Sequence, residues 1–404
     1  GAMQAIEESR STGGLERRVK HHVVGPVQTF FAVTAPGLET LCRGELERYT
    51  ETVKITGVEK GGIRFDGRLH DIYSANLLCR TAHRFLMRIG EFRAETFEAL
   101  AHKTRAVAWE LYLPPGAAIA VKVSAHRSRL YHSGAVAERL IEAIRHRMGD
   151  AAAAADRPEG GGPRQRIYAR LDRDRCLLSI DSSGANLHKR GLRAAGGRAP
   201  LRETLAAAVL LRAGYSGREV LCDPMCGSGT FAIEAALMAK QIPPGWFREF
   251  AFQNWPSFRP GRWRHIRRSA SPPETHFQRP LIMASDRNAA AARQLRETLA
   301  SRGLEDTVRV DHHAFEQLSG PALSPTGGIV ALNPPYGRRL GSRRSAEQSY
   351  KTIGRHLKSG FRGWKAAVLA PSRRLADLLG IRARRYVLTH GGQRVHLMVG
   401  TIRA

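Results

Sequence analysis

The stretch Glu219-Val220-Leu221-Cys222-Asp223-Pro224-Met225-Cys226-Gly227-Ser228-Gly229-Thr230-Phe231-Ala232 constrains the fold more than any other part of the chain. Residues 219–222 suit a buried strand, an acidic glycine-rich turn follows, and 230–240 predicts an Ala-rich helix. A glycine turn between a parallel strand and a helix lets a ligand approach the backbone, with the helix amides pointing at it. The alternation continues. Strands are predicted over 281–285, 308–311, 328–332 and 366–369, and helices over 202–212, 289–302 and 345–357. The expected fold class is α/β, a doubly wound and mostly parallel sheet. Two last strands, 386–389 and 395–399, flank Gly391-Gly392 and should form a hairpin that reverses the sheet's final direction.

Two segments carry chemistry. Gly227-Ser228-Gly229-Thr230-Phe231-Ala232 satisfies the dinucleotide pattern G-x-G-x-x-G/A, which alone is weakly specific. The second strand ends at Asp286, after an insertion over 241–280, and an acid there can bond ribose hydroxyls. Asp223 precedes the glycines, where it would repel a pyrophosphate and favour a ligand with a cationic head. A nucleoside-type cofactor without phosphates, a dinucleotide and a structural turn all stay open at this point.

The second segment, Asn333-Pro334-Pro335-Tyr336, follows the apolar strand at the carboxyl edge of the sheet, where open α/β folds hold ligands. Residues before proline are driven to extended backbone, which aims the Asn333 amide, and neither proline has an N–H. An Asn333 oxygen and the Pro334 carbonyl can accept both hydrogens of an exocyclic amine, while Tyr336 offers a face to a planar base. A plain strand-ending turn is the competing reading.

Upstream, strands over 30–34, 53–58, 63–66 and 84–92 with helices over 38–49 and 70–79 give the order β-α-β-β-α-β of a ferredoxin-like unit at 29–93. A further α+β unit follows at 94–186: a helix over 96–111, a strand over 117–124, an amphipathic helix carrying Val136, Leu140, Ile144 and Met148, and a hairpin over 167–181. Residues 1–28 are polar, open with what reads as a tag remnant, and are expected to be disordered. The formal charge of +28 implies a polyanionic partner, with nucleic acid foremost; basic side chains spread over a solvated face are the plainer explanation. Basic runs at 259–268, which contains Trp263, and at Arg338, Arg339, Arg343 and Arg344 are the candidate guides for such a strand. No apolar run reaches the ~20 residues of a membrane span. Five scattered cysteines do not form a disulfide framework, which suits a reducing cytoplasm. Cys222 and Cys226 lack a second ligand pair, and Asp311-His312-His313 lacks further ligands, so no metal is expected.

Asp223 to Thr230 together with Asn333-Pro334-Pro335-Tyr336-Gly337 resembles the S-adenosylmethionine-dependent amino-methyltransferases. More narrowly, the chain is similar to the THUMP-containing RNA guanine-N2 methyltransferases, the group that includes the bacterial 23S rRNA enzymes. Phe31-Ala32-Val33-Thr34-Ala35-Pro36-Gly37-Leu38-Glu39, Leu187-His188-Lys189-Arg190-Gly191-Leu192-Arg193 and Ala199-Pro200-Leu201-Arg202-Glu203-Thr204-Leu205-Ala206 extend the similarity over most of the chain. The resemblance implies a THUMP RNA-binding domain at 94–186 and a Rossmann-like seven-stranded class I methyltransferase domain at 187–404. It implies S-adenosylmethionine held by Asp223, Pro224, Cys226, Gly227, Ser228, Gly229, Thr230, Asp286, Arg287, His313, Ala314 and Asn333. The family's acid for the adenine amine is replaced by His313, which leaves that contact to the Ala314 backbone. Asn333, Pro334, Pro335 and Tyr336 would be catalytic, and RNA, as rRNA or tRNA, the partner. An adenine-N6 DNA methyltransferase, a non-catalytic RNA-binding factor and a nicotinamide oxidoreductase are the competing functions.

Overall fold

The computed structural model describes residues 12–50, 52–149, 164–193, 201–335 and 343–403. It opens with helix α1 (Thr12–Val19), continued by a π-helical turn at Lys20–Val24. The sequence predicts disorder over 1–28; residues 12–24 are helical instead, and 1–11 lie outside the described residues. Leu15, Val19 and Val23 recur every four residues and face the N-terminal core, with Val23 fully buried. Arg18 pairs with Glu110, which fixes the outer side of the helix.

The N-terminal half then runs β1 (Gln28–Val33), α2 (Glu39–Tyr49), β2 (Lys54–Glu59), β3 (Gly62–Gly67), α3 (Leu69–Leu78), β4 (Arg84–Arg93), α4 (Phe97–Arg105), β5 (Ile119–His126), α5 (Ser133–Met148), β6 (Gln165–Asp172) and β7 (Arg175–Asp181). The helix expected over 96–111 stops at Arg105. Trp109 turns inward instead, donating its Nε1–H to the Thr104 carbonyl at 2.8 Å from a fully buried ring. The two units read from sequence share one seven-stranded sheet, in the order β2-β3-β1-β4-β7-β6-β5. The seam is β4 against β7, antiparallel from Leu86↔Asp181 to Arg93↔Arg175 with a bulge between Arg88 and Gly90.

The C-terminal half comprises α6 (Glu203–Arg212), β8 (Leu221–Asp223), α7 (Thr230–Ala239), α8 (Pro260–Ser269), β9 (Ile282–Ser285), α9 (Ala289–Ala300), β10 (Val308–Asp311), α10 (Gly320–Leu323), β11 (Ile329–Leu332), α11 (Arg343–Gly360), β12 (Lys365–Ala370), α12 (Arg373–Leu378), β13 (Arg384–His390) and β14 (Gln393–Thr401). Its sheet has the order β10-β9-β8-β11-β12-β14-β13. The pairs from β10 through β12 are parallel, and β14 is antiparallel to both β12 and β13. The chain winds outward from β8 through β9 to β10, then returns to place β11 on the other side of β8. The carboxyl ends of β8 and β11 therefore sit side by side at the switch point, where such sheets hold ligands. The first strand starts later than expected, because the Glu219 carboxylate binds the Ser216 N–H at 2.8 Å and hydroxyl at 2.7 Å in the preceding turn. The strand consequently reaches Asp223 and buries it.

The insertion joins the halves. Phe250, Phe252, Trp255 and Trp263 enter the N-terminal core beside Tyr73, whose ring stacks on Phe252 at 4.4 Å. Trp263 is only 6% exposed, so it packs the core rather than meeting unpaired bases as the sequence suggested. Across the same junction Arg190 and Glu234 form a buried ion pair at 2.9 Å, and Arg190 also donates to the carbonyls of Arg80 and Leu187, both at 2.8 Å. No helix among the described residues is long and apolar enough to cross a membrane.

Candidate active site

Four loops converge at the switch point. The turn after β8 bends because Gly227 and Gly229 adopt positive φ of +51° and +80°. The Cys226 N–H donates to the Ser285 carbonyl at 2.9 Å, and the Gly227 N–H to Asp286 Oδ2 at 2.8 Å. Asp286 Oδ1 accepts the Asn288 N–H at 2.9 Å, so one carboxylate binds the glycine turn to the end of β9. Ser285 Oγ bridges in turn to the backbone of His313 after β10. These bonds tie the loops after β8, β9 and β10 to one another.

Between the loops lies a cavity of about 750 Å³, ample for a nucleoside-sized ligand. Pro224, Cys226, Gly227, Ser228 and Thr230 line it from the first turn, Asp286 and Arg287 from the second, Ala314 from the third, and Asn333, Pro334 and Pro335 from the loop after β11. The glycine turn and the Asn-Pro-Pro segment, about a hundred residues apart in the chain, thus share one cavity. Gly229 caps α7 and is not on the wall. A Cβ at Gly227 would meet nothing within 4 Å, which leaves that stretch of backbone open to a ligand. Tyr336 lies outside the described residues, as do Gly337, Arg338 and Arg339.

Asp223 lies one residue below the lining, 1% exposed, and neither carboxylate oxygen has a partner among the described residues. Burial pushes its pKa up to about 8; the Ala232 amide pulls the other way without completing a hydrogen bond, and the Asp286 charge adds to the rise. Asn333 Oδ1 is likewise buried and without a partner. Two orphaned acceptors at one cavity, one of them a carboxylate, call for a ligand that brings donors and positive charge. Cys226 is no nucleophile, since burial, then Asp223 and Asp286, raise its thiol pKa far above the ordinary value.

The third loop differs from the expectation. His313 is exposed and not on the wall, and the Ala314 N–H is already given to Gln317 Oε1 at 2.8 Å. The carboxylate that does line the cavity there is Glu316, beside Phe315. Sequence reasoning also missed the polar face of α11, where Ser345, Gln348, Ser349 and Thr352 line the cavity at helical spacing while Tyr350, Ile353 and Leu357 are buried. That periodicity was present in the sequence, overshadowed by the arginines before it. Among the described residues, no group of three or more His, Cys, Asp or Glu is placed to hold a metal.

Comparison with known proteins agrees with this architecture. The RMKL-like methyltransferase domain matches residues 190–397, the THUMP domain 94–181 and the RlmL ferredoxin-like domain 29–86. A ribosomal RNA large subunit methyltransferase K/L of Syntrophotalea carbinolica is 36% identical over 91% of this chain and 53% of its own length. The chain spans about half the length of the K/L relatives it matches. A putative RNA methyltransferase of Synechocystis is 32% identical over 90% of this chain and 94% of its own. Among solved structures, the putative methyltransferase SMU.472 in complex with SAH superposes with a TM-score of 0.79 at 27% identity, covering 94% of this chain and 99% of that one. With its class I methyltransferase sheet, its cavity at the switch point and its two N-terminal α+β units, the chain belongs to the RMKL-like methyltransferase family.

Proposed function

We propose that the chain transfers a methyl group from S-adenosylmethionine to the exocyclic N2 amine of a guanosine in RNA, with large-subunit ribosomal RNA as the substrate class ahead of tRNA, in the cytoplasm. The observation that carries this is Asn333 Oδ1, an acceptor without a partner in the wall of the cavity that the glycine turn also lines. The THUMP domain and the K/L relatives support RNA as the acceptor.

The residues present fit the cofactor. It supplies an electrophilic methyl on a cationic sulfur, beside an ammonium. Asp223 offers an uncompensated carboxylate under the turn, Asp286 has lone pairs left for ribose hydroxyls, and Gly227 presents bare backbone. Glu316, on the same wall, would supply an acceptor for an adenine amine.

Guanine N2 is a poor nucleophile because its lone pair is delocalised into the ring. Asn333 Oδ1 and the Pro334 carbonyl accept its two hydrogens, which holds the nitrogen in place and concentrates the pair on the face toward the cofactor side. This is orientation plus preorganised electrostatics. The alkylated nitrogen loses its proton readily, so no dedicated base is required. The target base must be unpaired or extruded, and Tyr336 is the stacking surface for it. Methyl transfer to RNA by Asn333→Ala should fall roughly 10²–10³-fold at saturating cofactor. Undiminished transfer, or transfer to DNA instead of RNA, would refute the assignment.

A further inference from the structure

Outside the cavity, three imidazoles from distant stretches gather about one arginine. His83 precedes β4, His188 follows β7 in the linker, and His390 ends β13. The rings of His83 and His188 lie 6.3 Å apart and within 16° of parallel. Their backbones are pinned: the His83 N–H donates to the Val33 carbonyl at 2.7 Å, and the Leu187 N–H to the His83 carbonyl at 3.0 Å. His390 Nε2 accepts the N–H of Arg202 at 3.3 Å, at the start of α6 and next to Leu201, which lines the cavity. Arg202 itself is exposed.

Among the described residues, the charges acting on these rings are all positive. Arg84, Arg202 and Arg166 face His83; Arg202, Arg190 and Lys189, with His83 itself, face His188; Arg202 faces His390. Arg84 and Arg190 are compensated elsewhere, by Asp181 and Glu234, and no carboxylate among the described residues acts on the rings themselves. Burial first, then these cations, hold His83 and His188 down at about 4, and His188 Nδ1 is buried without a partner among the described residues. An anion placed here would pair with Arg202, satisfy that nitrogen and let the rings ionise.

We infer that His83, His188, His390 and Arg202 form a binding site for a phosphodiester group of the RNA backbone, beside the mouth of the cavity. The inference rests on RNA being the substrate. His390 Nε2 must remain an acceptor to hold Arg202, so proton uptake on binding falls to His83 and His188. Their free-state pKa lies low and the bound anion raises it. RNA affinity therefore grows as pH falls toward the free-state value of about 4, and the gain is lost at higher pH, where the bound rings deprotonate as well.

The test is fluorescence anisotropy of a labelled RNA hairpin with unpaired guanosines, using the full chain across that pH range and a series of salt concentrations. The unaltered chain should bind more tightly at the acid end, and His83→Gln with His188→Gln should lose most of that gain. Arg202→Gln should lower the slope of log K against log salt by about 0.7, the loss of one phosphate contact to unpaired RNA. Calorimetric affinity for S-adenosylhomocysteine, unchanged in all variants, shows that they are folded. Variants indistinguishable from the unaltered chain in both pH and salt dependence overturn this site alone. Absence of RNA binding by the unaltered chain overturns the proposed function and the site with it. If inorganic phosphate at fixed ionic strength shifts the NMR signals of the two imidazoles as far as the RNA does, the site serves the free anion and the assignment to an RNA strand fails.

Discussion

Cofactor binding should expel a proton, and Asp223→Asn should abolish the effect. With the free carboxyl at about 8, about one molecule in eleven is ionised at pH 7. A cationic ligand needs the ionised form, so the carboxyl alone holds affinity at pH 7 about tenfold, or ~1.4 kcal/mol, below that of a fully ionised site. The sign follows from the direction of the shift. Burial raises the free-state pKa and a bound cation lowers it again, so affinity falls as pH falls through 8, tenfold per unit. The cofactor's own ammonium, with an α-amino pKa of about 8, imposes the opposite limb above that pH, which makes the profile bell-shaped. Calorimetry with S-adenosylhomocysteine in two buffers of different ionisation enthalpy counts the protons: a release of about 0.8 at pH 7, from about 0.9 lost by Asp223 less about 0.1 gained by the ligand amine, falling to zero near pH 8. Asp223→Asn should release none and bind more weakly at pH 8 by about 1.5–3 kcal/mol, the worth of a charged hydrogen bond. The cofactor-free variant should also melt higher at pH 8, because a carboxyl whose folded pKa exceeds its unfolded value of 3.8 erodes stability as pH rises between the two. No proton release at pH 7, or the same release from Asp223→Asn, would refute the placement of a cation over this carboxylate.

The parts of this fold that were legible in the sequence are those written in local pattern. Alternation, the glycine turn and the two prolines after β11 were enough to place Asn333 and Gly227 at one sheet edge, and β8 pairs with β11 as that requires. Asp223 could be picked out as a charge, yet its isolation could not be read, because it depends on the strand starting two residues later once Glu219 is held by Ser216. The continuity of the N-terminal sheet depends on β4 meeting β7 across a bulge, a non-local pairing for which neither strand carries a signature. Trp263 misled because tryptophan among arginines suits unpaired bases as well as a core, and only the Tyr73, Phe250 and Phe252 rings around it decide. Glu316 could not be found by position, since it stands three residues past His313, within the turn at Phe315–Gln317. Helix α1 was the avoidable miss, since its four-residue apolar spacing was plain in the sequence.

Two further substitutions probe the scaffold around the cavity. Gly229→Ala places a Cβ 2.4 Å from Leu295 Cδ1 on a backbone with φ of +80°. The leucine tip can give and the dihedral cannot, so a loss of about 1–2 kcal/mol is expected, with weaker cofactor binding; an unchanged melting temperature would refute it. Arg190→Ala leaves Glu234, fully buried, without its partner, and also strips the donors from the carbonyls of Arg80 and Leu187. Breaking such a pair from one side costs about 3–5 kcal/mol, whereas removing both charges costs far less. Arg190→Met with Glu234→Leu should therefore recover much of the stability lost by Arg190→Ala. Because the pair also holds Arg80 of the N-terminal half to α7, the double variant should recover the melting temperature while the junction loosens, seen as faster amide exchange around Arg80 and Leu187. If the double variant melts no higher than Arg190→Ala, the loss comes from the stripped carbonyls and not from the stranded carboxylate.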